Sequence, residues 1–254
     1  MQVPEQPVGE LLRQWRERRR MSQLALALDA QISTKHVSFL ESGKAAPSRD
    51  MVMTLAEALA LPLRARNALL LAAGFAPVYT QYAYDAPELA QTRRAVELVL
   101  AGHEPYPALA IDRHWTIVAS NQAFAPFLDG VAPALLQAPV NALRMSLHPE
   151  GLAPKIVNLP EWRKHVLHRL QQQVDASGDP VLAALYEELG GGPRFAHDAP
   201  PDLLVTLKMR LGDRELTFLS TTTIFGTPLD VTSSELAIES FFPADEATAK
   251  ALQA

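Results

Sequence analysis

Cysteine is absent from the 254 residues, which excludes disulfides and thiolate metal sites. No run of about eighteen uncharged apolar residues occurs, so no membrane span is expected. The opening MQVPEQPVGE has no basic start, no apolar stretch and no small-residue cleavage site, so no signal peptide is expected either. Catalytic signatures are missing too. There is no G-x-x-x-x-G-K-[ST] phosphate loop, no H-E-x-x-H and no G-x-S-x-G elbow, so Ser220 and Ser240 have no support as nucleophiles. The run Gly190-Gly191-Gly192-Pro193 lacks the lysine and hydroxyl of a phosphate loop and reads, with Ala199-Pro200-Pro201, as loop punctuation. His165 and His168 stand three apart on a predicted helix. Without further ligand types they are expected on a solvated face rather than on a metal. The carboxylates are scattered. No catalytic residue, metal ligand or cofactor is expected, and the chain is read as a non-enzyme.

What is present is unevenly distributed. The net charge is −5, but residues 1–76 carry 10 Lys/Arg against 7 Asp/Glu, and residues 77–254 carry 13 against 21. A basic first part on an acidic remainder points to phosphate contact by the first part alone.

That first part reads as five short helices. Val8, Leu11, Leu12 and Trp15 recur at helical spacing, and Arg16 to Arg20 (RERRR) puts four arginines near that helix's end, where cations suit the dipole. This cluster reads as a solvated helix end or a phosphate contact. Ser22 is an N-cap, with Leu24, Ala25 and Leu28 as the expected apolar face of the second helix. Ala30-Gln31 fall in a turn plugged by Ile32. Ser33 caps the third helix, with Val37 and Leu40 inward, and Gly43 ends it. Ser48 caps the fourth, with Met51, Leu55, Ala58 and Leu59 inward. Pro62 suits the first turn of the fifth, which ends at Gly74.

Ser22-Gln23, Ala27, Ile32-Ser33, Val37, Leu40-Glu41-Ser42-Gly43, Pro47 and Leu55-Ala56-Glu57-Ala58-Leu59 resemble the XRE (lambda-repressor-like) helix-turn-helix regulators. The resemblance implies that the third helix enters the major groove of DNA. Thr34, Lys35, His36 and Ser38 lie outside its core face, with Ser33 at its start. Lys35 can donate to guanine acceptors, and Thr34 and Ser38 can reach base edges or a thymine methyl. Gln23 is expected to contact a phosphate and brace its neighbours. Ser42, Lys44 and Arg49 are expected to grip the backbone.

Val78 to Asp85 is a polar, tyrosine-bearing link, and Ala86 to Gly102 reads as a helix that serves as connector or dimer interface. Strand-like runs follow at Tyr106–Ile111 and Trp115–Ser120, separated by Asp112-Arg113-His114. Asn121 caps a helix through Leu128. Residues 131–190 read as helical, with helices expected over Val140–Leu147, Pro160–Val174 and Pro180–Leu189. Three more strands are expected at Leu203–Leu211, Glu215–Phe225 and Leu236–Phe242. Two strands, a helical insert and three strands resemble a PAS-type sensor. YPALAIDRHWTIVASNQAF (106–124), NALRMSLHPEGLAPKIVNLPEW (141–162) and LSTTTIFGTPLDVTSSELAIESFFPAD (219–245), with RNALLLAAGFAP (66–77), resemble a narrower group, the MmyB-like transcription regulators.

The expected architecture is an all-α five-helix DNA-binding domain (7–76), a linker and connector helix (77–104), and an α+β PAS-like domain (105–250) whose antiparallel sheet of about five strands carries helices on one face. The resemblance implies a cytoplasmic regulator, nucleoid-associated when bound to DNA. Its PAS-like domain would hold a small apolar ligand, with a fatty acid the leading precedent. A homodimer on an inverted-repeat operator is expected. The candidate pocket residues are Trp115, Phe124, Phe127, Leu143, Leu147, Trp162, Val166, Leu219, Thr221, Thr223, Phe225 and Ile238. The four from 219 to 225 share one strand face. Arg144 and His148 are the expected partners of a ligand carboxylate. Two other readings stand beside this one: a constitutive DNA-binding protein whose second domain only dimerises, and an enzyme of lipid or amine chemistry fused to a DNA head.

Overall fold

Serine hydroxyls set the starts of three of the first helices. In the computed structural model, which describes residues 6–192 and 205–253, α1 spans Val8–Arg18, α2 Gln23–Asp29, α3 Thr34–Glu41, α4 Arg49–Ala58 and α5 Leu63–Ala72. Ser22, Ser33 and Ser48 accept from the backbone N–H of Ala25, His36 and Met51 at 3.0, 3.1 and 3.2 Å. Each hydroxyl thereby satisfies one of the donors that a helix start leaves without a carbonyl. Gln31 and Gly43 adopt φ of 55° and 69°, which turn the chain into and out of α3. Gly9 lets α1 close on the end of α3: a Cβ there would stand 2.3 Å from the Leu40 carbonyl oxygen.

The core of this unit holds Leu12, Trp15, Leu26, Ala27, Val37, Leu40, Val52, Leu55, Ala56, Leu59, Leu69 and Leu70. Two expected faces are corrected. In α2 the inward residues are Leu26 and Ala27, while Leu24 and Leu28 are 57% and 68% exposed. Apolar residues occupy both phases of this seven-residue helix, and the small Ala27 side permits the closer approach. In α4, Val52 and Ala56 join Leu55 and Leu59 in the core, with Met51 and Ala58 at its flank. Pro62 stands one residue before α5, at its N-cap. Asn67, buried on α5, accepts from the N–H of Val78 and Tyr79 and donates to the Tyr79 carbonyl, so the start of the expected link belongs to the helical unit. The boundary between the two compact units falls between Gln81 and Tyr82.

The second unit opens with a 3-10 turn, Pro87–Leu89, and α6, Ala90–Gly102. Its sheet is antiparallel, with β1 Ala108–Ile111, β2 Ile117–Ser120, β3 Thr206–Leu211, β4 Arg214–Ile224 and β5 Ala237–Pro243 in the order β2-β1-β5-β4-β3. The expected first residues of β3, Leu203 and Leu204, lie outside the described residues, as do Pro193 and Ala199-Pro200-Pro201. Between β2 and β3 come α7 (Ala142–Leu147), α8 (Leu159–Ser177) and α9 (Pro180–Glu188); α10 (Val231–Ser234) precedes β5 and α11 (Glu246–Gln253) follows it. Leu109, Ile111, Leu207, Met209, Leu216 and Phe218 pack with residues of α7, α8 and α9. Ala108, Ala110 and Ile238 pack on the other side with Val96 and Leu100 of α6.

Asn121 has a different task from the one expected. Its side chain makes no cap bond to the 3-10 segment Gln122–Leu128. It accepts from the N–H of Ala108 and donates to the carbonyls of Leu100 and Tyr106, a buried amide that satisfies strand-end and helix-end groups together. Among the described residues no helix is long and apolar enough to cross a membrane.

Candidate functional site

Each unit carries a candidate site of its own. On the helical unit, α3 presents Lys35 fully outward and Thr34, His36 and Ser38 partly so, while Val37 and Leu40 anchor it from below. Lys44 and Arg49 are exposed beyond its end. Phe39, an exposed aromatic that the sequence reading passed over, lies between two cations: the Lys35 and Lys44 ammonium groups are 5.5 and 5.9 Å from its ring centre. A residue that breaks the inward spacing of Val37 and Leu40 was the available signal.

Behind that face, Glu41 ties three elements together. Arg16 of α1 donates to both its carboxylate oxygens at 2.6 and 2.9 Å. Gln23 of α2 donates to the same group at 2.8 Å. The Glu41 hydrogen bond raises the Arg16 guanidinium above its ordinary range. Gln23 is thus held by a fixed acceptor, and Arg16 is withdrawn from the RERRR cluster. Arg19 donates to the carbonyls of Leu59 and Ala60, and Arg18 lies 4.8 Å over the Trp15 ring. The cluster is therefore not simply a solvated helix end; two of its arginines are spent inside the unit. Ser33 and Ser42 use their hydroxyls on α3 itself, Ser33 accepting from His36 and Ser42 donating to the Ser38 carbonyl at 2.7 Å.

The second unit encloses a cavity of about 60 Å³ between the sheet and its helices. The walls are nearly all apolar. Leu109 and Phe241 come from the sheet, Phe124 and Phe127 from the 3-10 segment, Leu143 and Met145 from α7, Trp162 and Val166 from α8. Trp115 enters from the β1–β2 turn. Asp112 accepts from the N–H of His114 and Thr116, both at 2.8 Å, and the tight turn leaves Trp115 at φ 65°, a rare conformation for a bulky residue. The two indole N–H groups are occupied, Trp115 donating to Gln173 at 2.6 Å and Trp162 to the Ser146 hydroxyl at 3.1 Å. Arg169 and Glu239 complete the lining.

A helix-turn-helix model matches residues 12–65, and the model described as the MmyB-like transcription regulator ligand binding domain matches residues 92–254. The chain belongs to the MmyB-like transcription regulators. No curated protein matches it. A solved structure described as an RNA-binding light-oxygen-voltage receptor aligns over 97% of this chain at 12% identity, with a TM-score of 0.26. The chain spans 62% of that receptor's length, and a likeness so slight carries no argument.

In this MmyB-like regulator, Trp115, Phe124, Phe127, Leu143, Trp162 and Val166 meet at the cavity, whereas eight other expected residues do not line it. Leu147 is buried beside it in the same core. Arg144 is exposed and donates to both oxygens of Glu188, at 2.6 and 2.7 Å, which holds the Glu188 carboxyl below its usual range. His148 accepts from the N–H of Glu150 in an exposed turn. Leu219, Thr221, Thr223 and Phe225 do share one face, but it is the opposite one. Leu216 and Phe218 point into the core with the cavity, so by alternation Thr222 is the threonine on the cavity side. Ile238, paired with Thr223, lies on that opposite face with Ala110 and Val96. A one-residue shift of phase exchanges the faces of a strand, and alternation alone does not fix the phase.

His165 and His168 do not converge. His165 packs 5.4 Å from the Trp162 ring and His168 lies 3.0 Å from the Gln172 amide. No group of histidines and carboxylates suited to a metal occurs among the described residues.

Proposed function

We propose that this regulator binds operator DNA through α3 as a homodimer on an inverted repeat, and that a small apolar molecule in its second domain alters that binding. Lys35 is the principal base-reading residue, flanked by Thr34, His36, Ser38 and the exposed ring of Phe39, which suits a thymine methyl. Gln23, braced by Glu41, meets the phosphate backbone with Ser33, Lys44 and Arg49, whereas Ser42 donates its hydroxyl proton to the Ser38 carbonyl. The helix-turn-helix unit extends over about residues 7–76 and the ligand-binding unit over 105–250. A fatty acid is the class of ligand that the family resemblance brings forward, and the cytoplasm is the setting.

The apolar cavity carries the sensor reading. A domain that served only for dimerisation has no use for room between Trp115, Phe127 and Trp162, and burying apolar surface there is the energy a ligand would supply. Native mass spectrometry of the purified full chain tests both parts of the reading, since it reports subunit number and any retained small molecule together. Operator affinity measured before and after that molecule is stripped completes it. Equal affinities would end the sensor reading and leave a constitutive DNA-binding protein. Lys35→Ala is expected to weaken operator binding by about 1–3 kcal/mol without changing the melting temperature.

A further inference from the structure

The charged end of the cavity holds information about the ligand's polar head. Among the described residues, Arg169 and Glu239 are the only charged side chains in its lining, and they are bound to each other. Arg169 donates from Nη1 to Glu239 Oε2 at 3.0 Å and from Nη2 to Oε1 at 2.7 Å. Nη2 also reaches the Thr222 hydroxyl at 2.8 Å, and that hydroxyl donates to Glu239 Oε1 at 2.9 Å. The guanidinium lies 5.1 Å over the Trp115 ring. Its fork and one face are both engaged. Glu239 comes from the centre of the sheet, paired with Leu109 and Thr222, and is 4% exposed.

An ionised carboxylate entering this cavity meets no cation with an open fork, and it meets a fixed negative charge. Two carboxylates that share one guanidinium repel, and the second resists ionisation. A donor is received differently. A carboxylate offers about four acceptor positions, and Arg169 with Thr222 fills three on Glu239. The free one is on Oε2. A second cation is disfavoured by Arg169.

We infer that the cavity selects an apolar chain ending in an uncharged hydrogen-bond donor, such as an alcohol or primary amide, over an ionised fatty acid, and that Glu239 sets this preference. The inference rests on the sensor reading and departs from the fatty-acid precedent only at the head group.

The test compares 1-decanol with decanoate, at about pH 8 where the acid is ionised, by calorimetric titration of the full-length protein, its Glu239→Gln variant and the Arg169→Gln/Glu239→Gln double variant. Gln keeps the shape of Glu, and the melting temperature of each variant reports its folding. The wild type is expected to bind 1-decanol the tighter. Glu239→Gln releases Arg169 and is expected to shift the affinity ratio toward decanoate by about tenfold or more, and the double variant is expected to lose that gain. Decanoate binding as tightly as 1-decanol to the wild type, or a ratio unmoved in a folded Glu239→Gln, overturns the inference alone. Binding of neither probe to the wild type overturns the sensor reading and the inference with it.

Discussion

Around Val8, Leu12, Leu40, Val52 and Leu69 the helical unit leaves about 10 Å³ of free space, and around Trp115, Phe127, Leu143 and Trp162 the second unit leaves about 60 Å³. The first volume is at the lower limit for a single water, and the second would hold several. Side-chain size does not explain the difference, because the roomier core has the larger residues. The helical unit joins short helices through small contact residues such as Gly9 and Ala27, and its side chains interdigitate. The second unit spans a sheet with aromatic rings and leaves a gap between them. A helix that reads base edges needs a rigid seat, and a packed core supplies one. A domain that admits a ligand keeps space for it.

The largest expected effect attacks the tight core. Leu40→Ala removes a fully buried side chain from beneath α3, and a destabilisation of about 2–5 kcal/mol is expected by chemical denaturation. Hydrogen exchange should place the loss in residues 7–76; unchanged exchange there would contradict the prediction.

Ser33→Ala tests the seat of α3 more gently. Loss of the cap to the His36 N–H is expected to cost about 1 kcal/mol, read as a lower denaturation midpoint.

Leu109→Phe probes the roomy core in the opposite direction. In a filled interior added volume costs about 1–3 kcal/mol. Here the cavity is expected to absorb it at less than about 1 kcal/mol, with ligand binding reduced. A cost near the full range would mean that the walls do not yield as the geometry indicates.

The smallest effect is one of pH. Burial, with Arg169 nearby, holds the half-buried His165 below the ordinary imidazole value of 6.5. The unfolded chain therefore binds the proton more readily. This contribution to stability is present above about pH 6.5 and is lost as pH falls toward the folded value. The melting temperature of the second unit is expected to decline on acidification, and His165→Phe to flatten that decline.

Much of the helical unit was legible because its signals are local. The caps at Ser22, Ser33 and Ser48 act over three residues, and Gly43 marks a left-handed turn by itself. The strands could be located for the same reason, from alternation bounded by turns. Faces were harder. Leu24 and Leu28 look as apolar as Leu26 and Ala27, and only the approach of α3 chooses between them. In β4 the alternation of Leu219, Thr221, Thr223 and Phe225 was sound, yet which side received the helices depended on Leu216 and Phe218 meeting α7 and α8. Arg144 was expected to hold an anion because a buried carboxylate needs a donor, but its side chain is exposed and pairs with Glu188 at the surface.

The order of elements, the capped helix-turn-helix, the family and a third of the cavity wall follow from residues read in line, because caps, turns and periodicity are short-range interactions carried by adjacent side chains. The Glu41 bracket on Arg16 and Gln23, the threefold task of Asn121, and the Arg169–Glu239 pair join residues 13 to 70 positions apart. Nothing in their local spacing announces them. Folding decided these by burying polar groups that could be stable only with one another.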